Sequence, residues 1–588
     1  MSTSRVPLAH IKRESDRTAV DTMMERARAG SWATRLADRD TTLWSEEHAT
    51  QTRIANRLGW LDAPATFTRE IPALEAFGEK VRDAGFTTAV VAGMGGSSLA
   101  PEVLATAFAD LTGWLKVRVC DSTNPAAVAR VMQGLDPLKT LFVIASKSGT
   151  TTETLAFAAY ARGIVANALS AAGATSTSPD DYFVAISDPA PSITGIPHAE
   201  AMRERFLNPA DIGGRYSALS FVGLVPASLL GIDLDPLLAS GSVAIAEARD
   251  PEPTGNFAVA LGCTIAALTR EGRDKLTLIV DAPIHGIGAW IEQLVAESTG
   301  KNGVGVVPVD GEALGSLSDY EDDRIFVRIS LAGGVAPRTS DGGDVDARLR
   351  ELAAAGHPLL TWELDDPIDL GAEFVRWEIA TAITGVAMGV NPFDEPNVTE
   401  SKTNTARVLA ERAASGTLPV LAPKVRSGVL SLWADDALPA AFSDSAEQLI
   451  AGQLDRRSRR SYLGLHAYLP ESRTTTAHLQ EIRLALRSAT HAATTLGYGP
   501  RFLHSTGQLH KGGTATGWFL QIVAGHRGDL AVPGAPYSFG ELIDAQALGD
   551  ARSLVDHGLP VLRVHLGDDV EAGLQALKGL VRRAIAVR

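Results

Sequence analysis

The sequence is poor in cysteine and has no long apolar run, which argues against a disulfide-rich protein and against a membrane-spanning one. Its 588 residues include only two cysteines, Cys120 and Cys263, which is too few for a disulfide framework or a CxxC metal site. No stretch of about 18 consecutive apolar residues occurs, so we expect no transmembrane helix. The first 17 residues carry charges early and lack an apolar core, which argues against a secretory signal. These features predict a cytoplasmic chain that does not bind membranes.

An excess of basic residues is also missing. Lys and Arg total 54 against 69 Asp and Glu, which gives a net charge of −15. An acidic chain repels nucleic acid and anionic lipid unless a local basic patch overrides its field, and we find no such patch. Apolar residues make up 45% of the chain, enough to build folded cores. We therefore expect a globular protein without a nucleic-acid partner.

The pattern of apolar residues divides the chain into four parts. Residues 1–70 show helical spacing without β-branched runs and predict an N-terminal helical arm. From there, short β-branched runs alternate with amphipathic stretches, and the alternation restarts after the Pro-rich segment Asp250–Pro253. Strands separated by helices form parallel sheets covered on both faces. The sequence predicts an α/β fold with doubly wound domains at 71–249 and 250–420 and a smaller C-terminal α/β unit at 421–588.

The predicted strands share apolar, β-branched composition and are bounded by turn residues. They are Thr87–Ala92, Leu115–Cys120, Thr140–Ala145 and Tyr182–Ile186 in the first domain, Lys275–Asp281, Val304–Val309, Ile325–Ile329 and Pro358–Leu364 in the second, and Tyr462–Tyr468, Trp518–Val523 and Val561–Leu566 in the C-terminal unit. A long apolar helix from Gly371 to about Val390 follows the second set.

A loop rich in hydroxyl groups follows the strand Thr140–Ala145. Six of the nine residues in Ser146–Thr154 are Ser or Thr, and an apolar helical stretch comes directly after them. Hydroxyls and free backbone N–H groups that converge at a helix start can hold a phosphate without a metal. One or two hydroxyls would serve ordinary helix capping, with Glu153 completing a capping box. Six exceed that need, which favours a phosphate site.

A glycine-rich turn, Gly93-Met-Gly-Gly96-Ser97-Ser98, joins another predicted strand to a helix. Glycines let a ligand approach the backbone closely. A dinucleotide fingerprint would need glycine where Ser98 stands, and a Walker phosphate loop is absent as well. The sequence therefore predicts no nucleotide cofactor here and leaves two alternatives open, a tight turn with a serine cap or a ligand site.

Three further positions carry groups suited to chemistry. Arg215 follows Gly213-Gly214, so a tightly turned backbone could bring its guanidinium to an oxyanion, or it could bond loop carbonyls. Gln293 and Glu297 are four apart and share one face of a helix that follows a strand end, where ligands bind in open parallel sheets. Lys402 lies near the start of a helix, where a cation opposes the helix dipole. Each of these is also compatible with an ordinary structural role.

These segments, in this order, resemble the glucose-6-phosphate isomerase family, which is built on two sugar-isomerase (SIS) domains. The details look closest to the isomerase part of bacterial transaldolase/glucose-6-phosphate isomerase fusions. The resemblance covers residues 30–415 well and, for the fusion type, extends to the C-terminus through Phe502–Gly513. It implies interconversion of glucose 6-phosphate and fructose 6-phosphate through an enediolate, without a metal or redox cofactor, in a homodimer.

The resemblance also implies a role for each matched residue. The substrate phosphate would be held by Ser146, Ser148 and Thr151, with Lys147 nearby, and the sugar would contact Gly96 and Ser97. Gln293 would bind near the phosphate or the open chain. Glu297 would be the catalytic base, Arg215 would stabilise the enediolate, and Lys402 would assist ring opening.

One feature departs from the family pattern, the histidine that opens the sugar ring. In shorter family members it lies between the Glu and Lys segments and comes from the partner subunit, but residues 302–390 contain only His357. The most similar segment is Ser505–His510, so we expect His510 to take the role, with His504 as the competitor. Two other functions stay open, an isomerase of another anionic hexose (mannose 6-phosphate or a sulfonated hexose) and a non-catalytic sugar-phosphate regulator.

Overall fold

Three mainly parallel β-sheets, each flanked by helices, make up the residues that the computed structural model describes, which are 7–174, 176–435, 437, 438, 442 and 444–588. This arrangement confirms the predicted α/β class. No helix within these residues has both the length and the apolar character needed to cross a membrane.

The N-terminal arm is mostly helical, as predicted, but it begins with a strand. The strand β1 (Leu8–His10) pairs antiparallel with the edge of the second sheet, so the prediction of helix throughout 1–70 is wrong there. Three residues are too few to show a period, and their pairing depends on a sheet edge that forms about 350 residues later. The helices that follow are α1 (Glu14–Ala29), α2 (Trp32–Ala37), α3 (His48–Ala55), α4 (Ala63–Thr68) and α5 (Ile71–Asp83).

The first unit contains a five-stranded sheet in which every neighbouring pair is parallel. Its spatial order is β3-β2-β4-β5-β6. The strands are β2 (Thr88–Ala92), β3 (Lys116–Cys120), β4 (Thr140–Ala145), β5 (Phe183–Ser187) and β6 (Glu204–Leu207), and the helices are α6 (Gly96–Ala107), α7 (Pro125–Met132), α8 (Thr152–Ala171), α9 (Phe221–Leu230) and α10 (Leu234–Glu247). β4 is buried at every position, which explains its uninterrupted apolar sequence.

The second unit repeats this order, β8-β7-β9-β10, and adds the antiparallel β1 at its edge. Its elements are α11 (Phe257–Arg270), β7 (Lys275–Val280), α12 (Ile287–Thr299), β8 (Val307–Val309), β9 (Arg324–Leu331), α13 (Val345–Ala355), β10 (Leu359–Leu364), α14 (Leu370–Met388) and α15 (Pro396–Ser415).

The third unit has the same strand order again, β14-β13-β15-β16, followed by the antiparallel β12 and β11. Its sheet thus has one strand more than the other two. Its elements are β11 (Val425–Ser427), β12 (Leu430–Ala434), α16 (Ala446–Asp455), β13 (Tyr462–Tyr468), α17 (Arg473–Thr490), β14 (Ala493–Tyr498), α18 (Gly507–Gly512), β15 (Gly517–Val523), α19 (Phe539–Asp556), β16 (Val561–His565) and α20 (Val570–Val587).

The apolar core shows how the units are joined. One continuous cluster contains Trp60 of the arm, Val91 of β2, and Trp290 and Trp377 of the second unit. The third unit has a separate core of its own. A further cluster packs Phe157 of α8 against Phe539 and Leu542 of α19, which fixes the third unit to the first. The first two units therefore share one interior, and the third packs against them as a separate layer.

Candidate active site

A cleft of about 380 Å³ lies at the carboxyl edge of the first sheet, where ligands bind in open parallel sheets. The loops after β2 and β4 form one side of it, and α12, α15 and a turn of the third unit form the other. Its lining residues are Arg57, Met94, Gly95, Gly96, Ser97, Ala145, Lys147, Ser148, Thr151, Asp188, Ser192, Gly213, Gly214, Arg215, Gln293, Glu297, Glu395, Val398, Lys402 and His504. All the residues predicted for the site are among them except Ser146 and His510.

The glycine turn after β2 is where three separate segments meet. Gly95 has a φ of +57°, and a Cβ there would lie 2.6 Å from Gln293 Nε2 and 2.6 Å from the carbonyl of His504. At Gly96 a Cβ would lie 1.9 Å from the carbonyl of Gly214. No side chain caps the start of α6, where the N–H groups of Ser97 and Ser98 donate to the carbonyls of Met94 and Gly95. The two glycines are needed both for the turn and for the close approach.

The hydroxyl loop after β4 presents some of its groups to the cleft and keeps others behind. Ser148 and Thr151 line the cleft, and Thr151 precedes α8 without capping it, so the N–H groups of that helix are also available. Ser146 is buried behind them, with its Oγ 2.9 Å from Thr151 Oγ1. Lys147 donates to Asp188 at 2.5 Å. Ser146 therefore orients Thr151 instead of facing the cleft, and Lys147 is tied to a neighbouring loop.

Glu297 is a buried carboxylate at the floor of the cleft. Gln293, one turn earlier on α12, donates to Glu297 Oε2 at 3.2 Å and to the carbonyl of His504 at 2.8 Å. Burial raises the pKa of Glu297, and the nearby Arg215 guanidinium opposes that rise. A carboxyl with a raised pKa is a stronger base than an ordinary one and is suited to accept a proton.

Arg215 is 4% exposed and all of its N–H donors have partners. Its Nε donates to Ser298, its Nη2 donates to the carbonyls of Pro392 and Asp394, and its Nη1 lies 3.1 Å from Glu395 Oε2 and 3.4 Å from Glu297 Oε1. Burial alone would lower the pKa of Arg215, but the negative charges of Glu297 and Glu395 outweigh burial, so the pKa is raised above its usual value. The guanidinium therefore holds a positive charge beside Glu297 and, through Nη1, faces the cleft.

The third unit contributes His504 to the cleft. This residue ends a short helical turn, Arg501–His504, that follows β14. Its Nε2 lies 3.0 Å from Glu153 Oε1, a carboxylate in the first turn of α8. Burial alone would raise the pKa of Glu153, but the charge and hydrogen bond of His504 lower it. Lys402 of α15 also lines the cleft, so both an imidazole and an ammonium group belong to its lining.

Comparison with known proteins shows what this chain is similar to. Residues 37–314 match the family model "Phosphoglucose isomerase". That segment is similar to the phosphoglucose isomerase family.

Two similar curated proteins are named glucose-6-phosphate isomerase. The glucose-6-phosphate isomerase of Rubrobacter xylanophilus is 29% identical over 389 residues, covering 58% of this chain and 87% of that protein. That of Exiguobacterium sibiricum is 28% identical over 421 residues, covering 64% and 92%. A crystal structure of a hypothetical protein from Thermus thermophilus is 25% identical with a TM-score of 0.52, covering 67% of this chain and 97% of that chain. The third unit lies outside the matched family model.

The structure does not bring His510 to this cleft. His510 lies on α18, is 4% exposed, and its ring centroid is 4.7 Å from that of His466 with the rings nearly parallel. Neither ring nitrogen has a hydrogen-bond partner among the described residues. The expectation that it faces Glu297 therefore does not hold within one chain. Six residues separate it from His504, and only the path of the turn and α18 decides which of the two faces out.

The buried histidine pair predicts a pH-dependent stability. Burial lowers the pKa of both His466 and His510 below the usual value of about 6.5. Below pH 6.5 the unfolded chain binds protons that the folded chain does not, so stability is lost as the pH falls. Each such histidine contributes up to about 1.4 kcal/mol per pH unit. We expect the melting temperature to fall between about pH 7 and pH 5, and His510→Phe to reduce that fall. An unchanged pH dependence in His510→Phe would contradict this origin.

Glu153 is the main site residue that the sequence did not single out. Its position beside six hydroxyls suggested a capping box, yet its carboxylate receives hydrogen bonds from His504 and Gln546 of the third unit. Glu395, which pairs with Arg215, was also missed because turn residues after Asn391-Pro392 carry no periodic signal. The sequence did contain one indication for Glu153. It is the acidic residue of the Ser146–Thr154 loop, which was already predicted to hold the substrate phosphate.

Proposed function

We propose that this chain is an aldose-ketose isomerase that interconverts glucose 6-phosphate and fructose 6-phosphate through an enediolate. The observation that carries the proposal is one cleft lined by a buried carboxylate, Glu297, by the glycine turn before α6, and by the hydroxyl loop at the uncapped start of α8. The carboxylate is suited to proton transfer, and the loops and the helix start are suited to binding an anionic sugar. The family match of residues 37–314 supports the same activity.

The phosphate end of the substrate lies at the start of α8 in this proposal. Ser148 and Thr151 donate hydroxyl hydrogen bonds, and the free N–H groups of the helix add the favourable end of its dipole. Ser146 holds Thr151, and Lys147 adds positive charge nearby. Gly96 and Ser97, at the start of α6, contact the sugar. Gripping the phosphate holds the reacting carbons in place for the later steps.

Proton transfer falls to Glu297. The carboxylate removes the proton from C2 of the aldose, or C1 of the ketose, and returns it to the neighbouring carbon, while the hydroxyl proton of the substrate passes from one of the two neighbouring oxygens, O1 and O2, to the other. Gln293 fixes one carboxylate oxygen. Negative charge develops on the substrate oxygens, and the Arg215 guanidinium stabilises it as a charge already in position. Because its other donors are bonded to protein, Nη1 is the part of Arg215 that reaches this oxygen when Glu395 turns aside.

Ring opening precedes proton transfer, and we assign it to His504 in place of His510. A ring-opening group must take the anomeric hydroxyl proton and give one to the ring oxygen, and an imidazole can do both because its two ring nitrogens can donate and accept. Glu153 orients His504, and Lys402 adds a cation on the same side. The histidine then comes from the third unit of the same chain, whereas the family resemblance implied a partner subunit.

The phosphate assignment predicts a binding defect. Ser148→Ala removes a hydrogen bond to a charged group, worth about 1.5–3 kcal/mol, so KM for fructose 6-phosphate should rise roughly tenfold to a hundredfold with kcat largely kept. Ser170→Ala, at the exposed far end of the same helix, is the matched control and should leave KM unchanged. Steady-state kinetics of both variants checks this. A wild-type KM in Ser148→Ala would place the phosphate elsewhere.

A coupled assay tests the function itself. Purified chain incubated with fructose 6-phosphate should produce glucose 6-phosphate, detected through an NADP-dependent dehydrogenase. The same assay with mannose 6-phosphate and a sulfonated hexose separates the alternative isomerases. If the chain binds fructose 6-phosphate but converts none of the three sugars, the proposal that it is an enzyme is wrong, and a regulatory role is favoured.

Several finer expectations belong to the same proposal. The chain resembles the isomerase part of transaldolase fusions, because the third unit carries the Phe502–Gly513 segment that this resemblance includes. We expect a homodimer, no nucleic-acid partner, no cofactor and a cytoplasmic location. The domain limits at residues 70, 249 and 420 also stay predictions.

A further inference from the structure

A chain of hydrogen bonds crosses from the first unit to the third and ends at His504. The hydroxyl of Thr123 donates to Gln546 Oε1 at 2.6 Å, and Gln546 Nε2 donates to Glu153 Oε1 at 2.7 Å. The same Glu153 oxygen lies 3.0 Å from His504 Nε2. Thr123 and Glu153 belong to the first unit, and Gln546 and His504 to the third. The four side chains therefore interleave across one interface.

We propose that Gln546 is a positioning residue for His504, acting through Glu153 and held in turn by Thr123. The inference rests on the proposed function, since it assigns a task to the third unit within the isomerase site. It adds Gln546 and Thr123, which do not line the catalytic cleft, to the groups that determine ring opening.

The direction of each bond explains why an amide stands at position 546. A carboxylate only accepts hydrogen bonds, so Glu153 needs donors, and Gln546 and His504 each supply one. The carboxylate sets the orientation of the Gln546 amide, since only the NH2 group can donate to it, and the Thr123 hydroxyl then donates to the amide oxygen. Thr123 is 0% exposed and Gln546 2% exposed. A buried, fully bonded pair holds Glu153 in one orientation before substrate binds.

The elements that carry these residues explain how the third unit is oriented over the cleft. Gln546 lies on α19, which packs against α15, the helix that carries Lys402. Its neighbours Phe539 and Leu542 bury the start of α19 against α8, which carries Glu153. The apolar contact brings the helices together, and the Thr123–Gln546–Glu153 bonds fix the orientation of the carboxylate.

Anomer exchange isolates the step that Gln546 should control. The α and β forms of glucose 6-phosphate interconvert through ring opening alone, without removal of the C2 proton. Exchange spectroscopy by NMR on the full chain therefore measures ring opening, and deuterium uptake at C2 measures proton transfer. Gln546→Leu should slow anomer exchange at least about tenfold, the loss expected for a hydrogen bond to a charged group. Thr123→Val, which keeps the shape, should act in the same direction with a smaller effect.

Two further variants distinguish positioning from general damage. Gln521→Leu removes another buried amide of the third unit, bonded to the carbonyl of Ala547, and should leave anomer exchange unchanged even if it lowers the melting temperature. In a His504→Asn background, Gln546→Leu should change the rate by less than about twofold, because the two residues act as one unit. The proposal is overturned if the effects of His504→Asn and Gln546→Leu on anomer exchange are fully additive. It is also overturned if a folded Gln546→Leu variant exchanges anomers at the wild-type rate. A wild-type chain that neither exchanges anomers nor takes up deuterium would instead overturn the proposed function.

Discussion

Glu297→Gln should lower kcat by at least about 10²-fold, the usual worth of a general base, while leaving KM close to wild type. The amide keeps the size of the side chain and can still accept from Gln293, but it cannot take the C2 proton. Deuterium uptake at C2 should fall by the same factor, whereas anomer exchange should persist because ring opening does not use this group.

Glu292→Gln is the matched control for that result. Glu292 lies on the same helix but lines a different cavity, and burial raises its pKa to about 8. Its replacement should leave kcat and deuterium uptake within about twofold of wild type. Equal losses in the two variants would indicate damage to α12 instead of loss of a base, and retained deuterium uptake in Glu297→Gln would move the base elsewhere.

His504→Asn should slow turnover of cyclic glucose 6-phosphate by about 10²-fold. Asparagine is too short to reach Glu153 from the position of Nε2, but Glu153 keeps its hydrogen bond from Gln546, and the amide does not gain or lose a proton near neutral pH. Anomer exchange should fall with turnover, and an open-chain substrate analogue should be affected much less. Steady-state kinetics with both substrates and the NMR exchange rate provide the measurements.

His510→Phe is the partner experiment. The imidazole of His510 packs among Tyr462, His466, Phe502 and Phe519, where phenylalanine fits chemically. Turnover of the cyclic substrate should stay within about threefold of wild type. The opposite pattern, with His504→Asn active and His510→Phe inactive, would restore His510 to the site through another subunit.

Elements inside the sheets could be predicted from the sequence, but edge strands could not. Thr140–Ala145 and Tyr462–Tyr468 are buried along their whole length, and their apolar composition alone gave their bounds. β6 (Glu204–Leu207) is largely exposed, and its polar composition hides it. β11 and β1 are three-residue strands whose formation depends on a neighbouring edge. Their stability comes from distant pairing, which local sequence does not encode.

The site followed a similar division. Residues at loop ends after β2 and β4 could be placed because chain direction and strand order bring such loops to one edge. The hydrogen bonds of Arg215 could not be predicted, because several of its partners lie in a turn about 180 residues away. The choice between His504 and His510 depended on the direction of a short turn. Glu153 has its partners in the third unit, so its role could not be inferred from the loop that contains it.

Mixing two inactive variants tests most directly whether one chain holds the complete site. Glu297→Gln and His504→Asn chains that carry different tags are co-expressed. If the chains associate, the mixed oligomer is purified through both tags; if they do not, the two variants are combined at equal concentration. Because base and histidine come from the second and third units of the same chain, every chain in the mixture lacks one of them, and activity should not exceed the sum of the separate variants. Recovery towards about half of wild-type activity, as a site shared between two subunits would give, would contradict the assignment of His504 to its own chain.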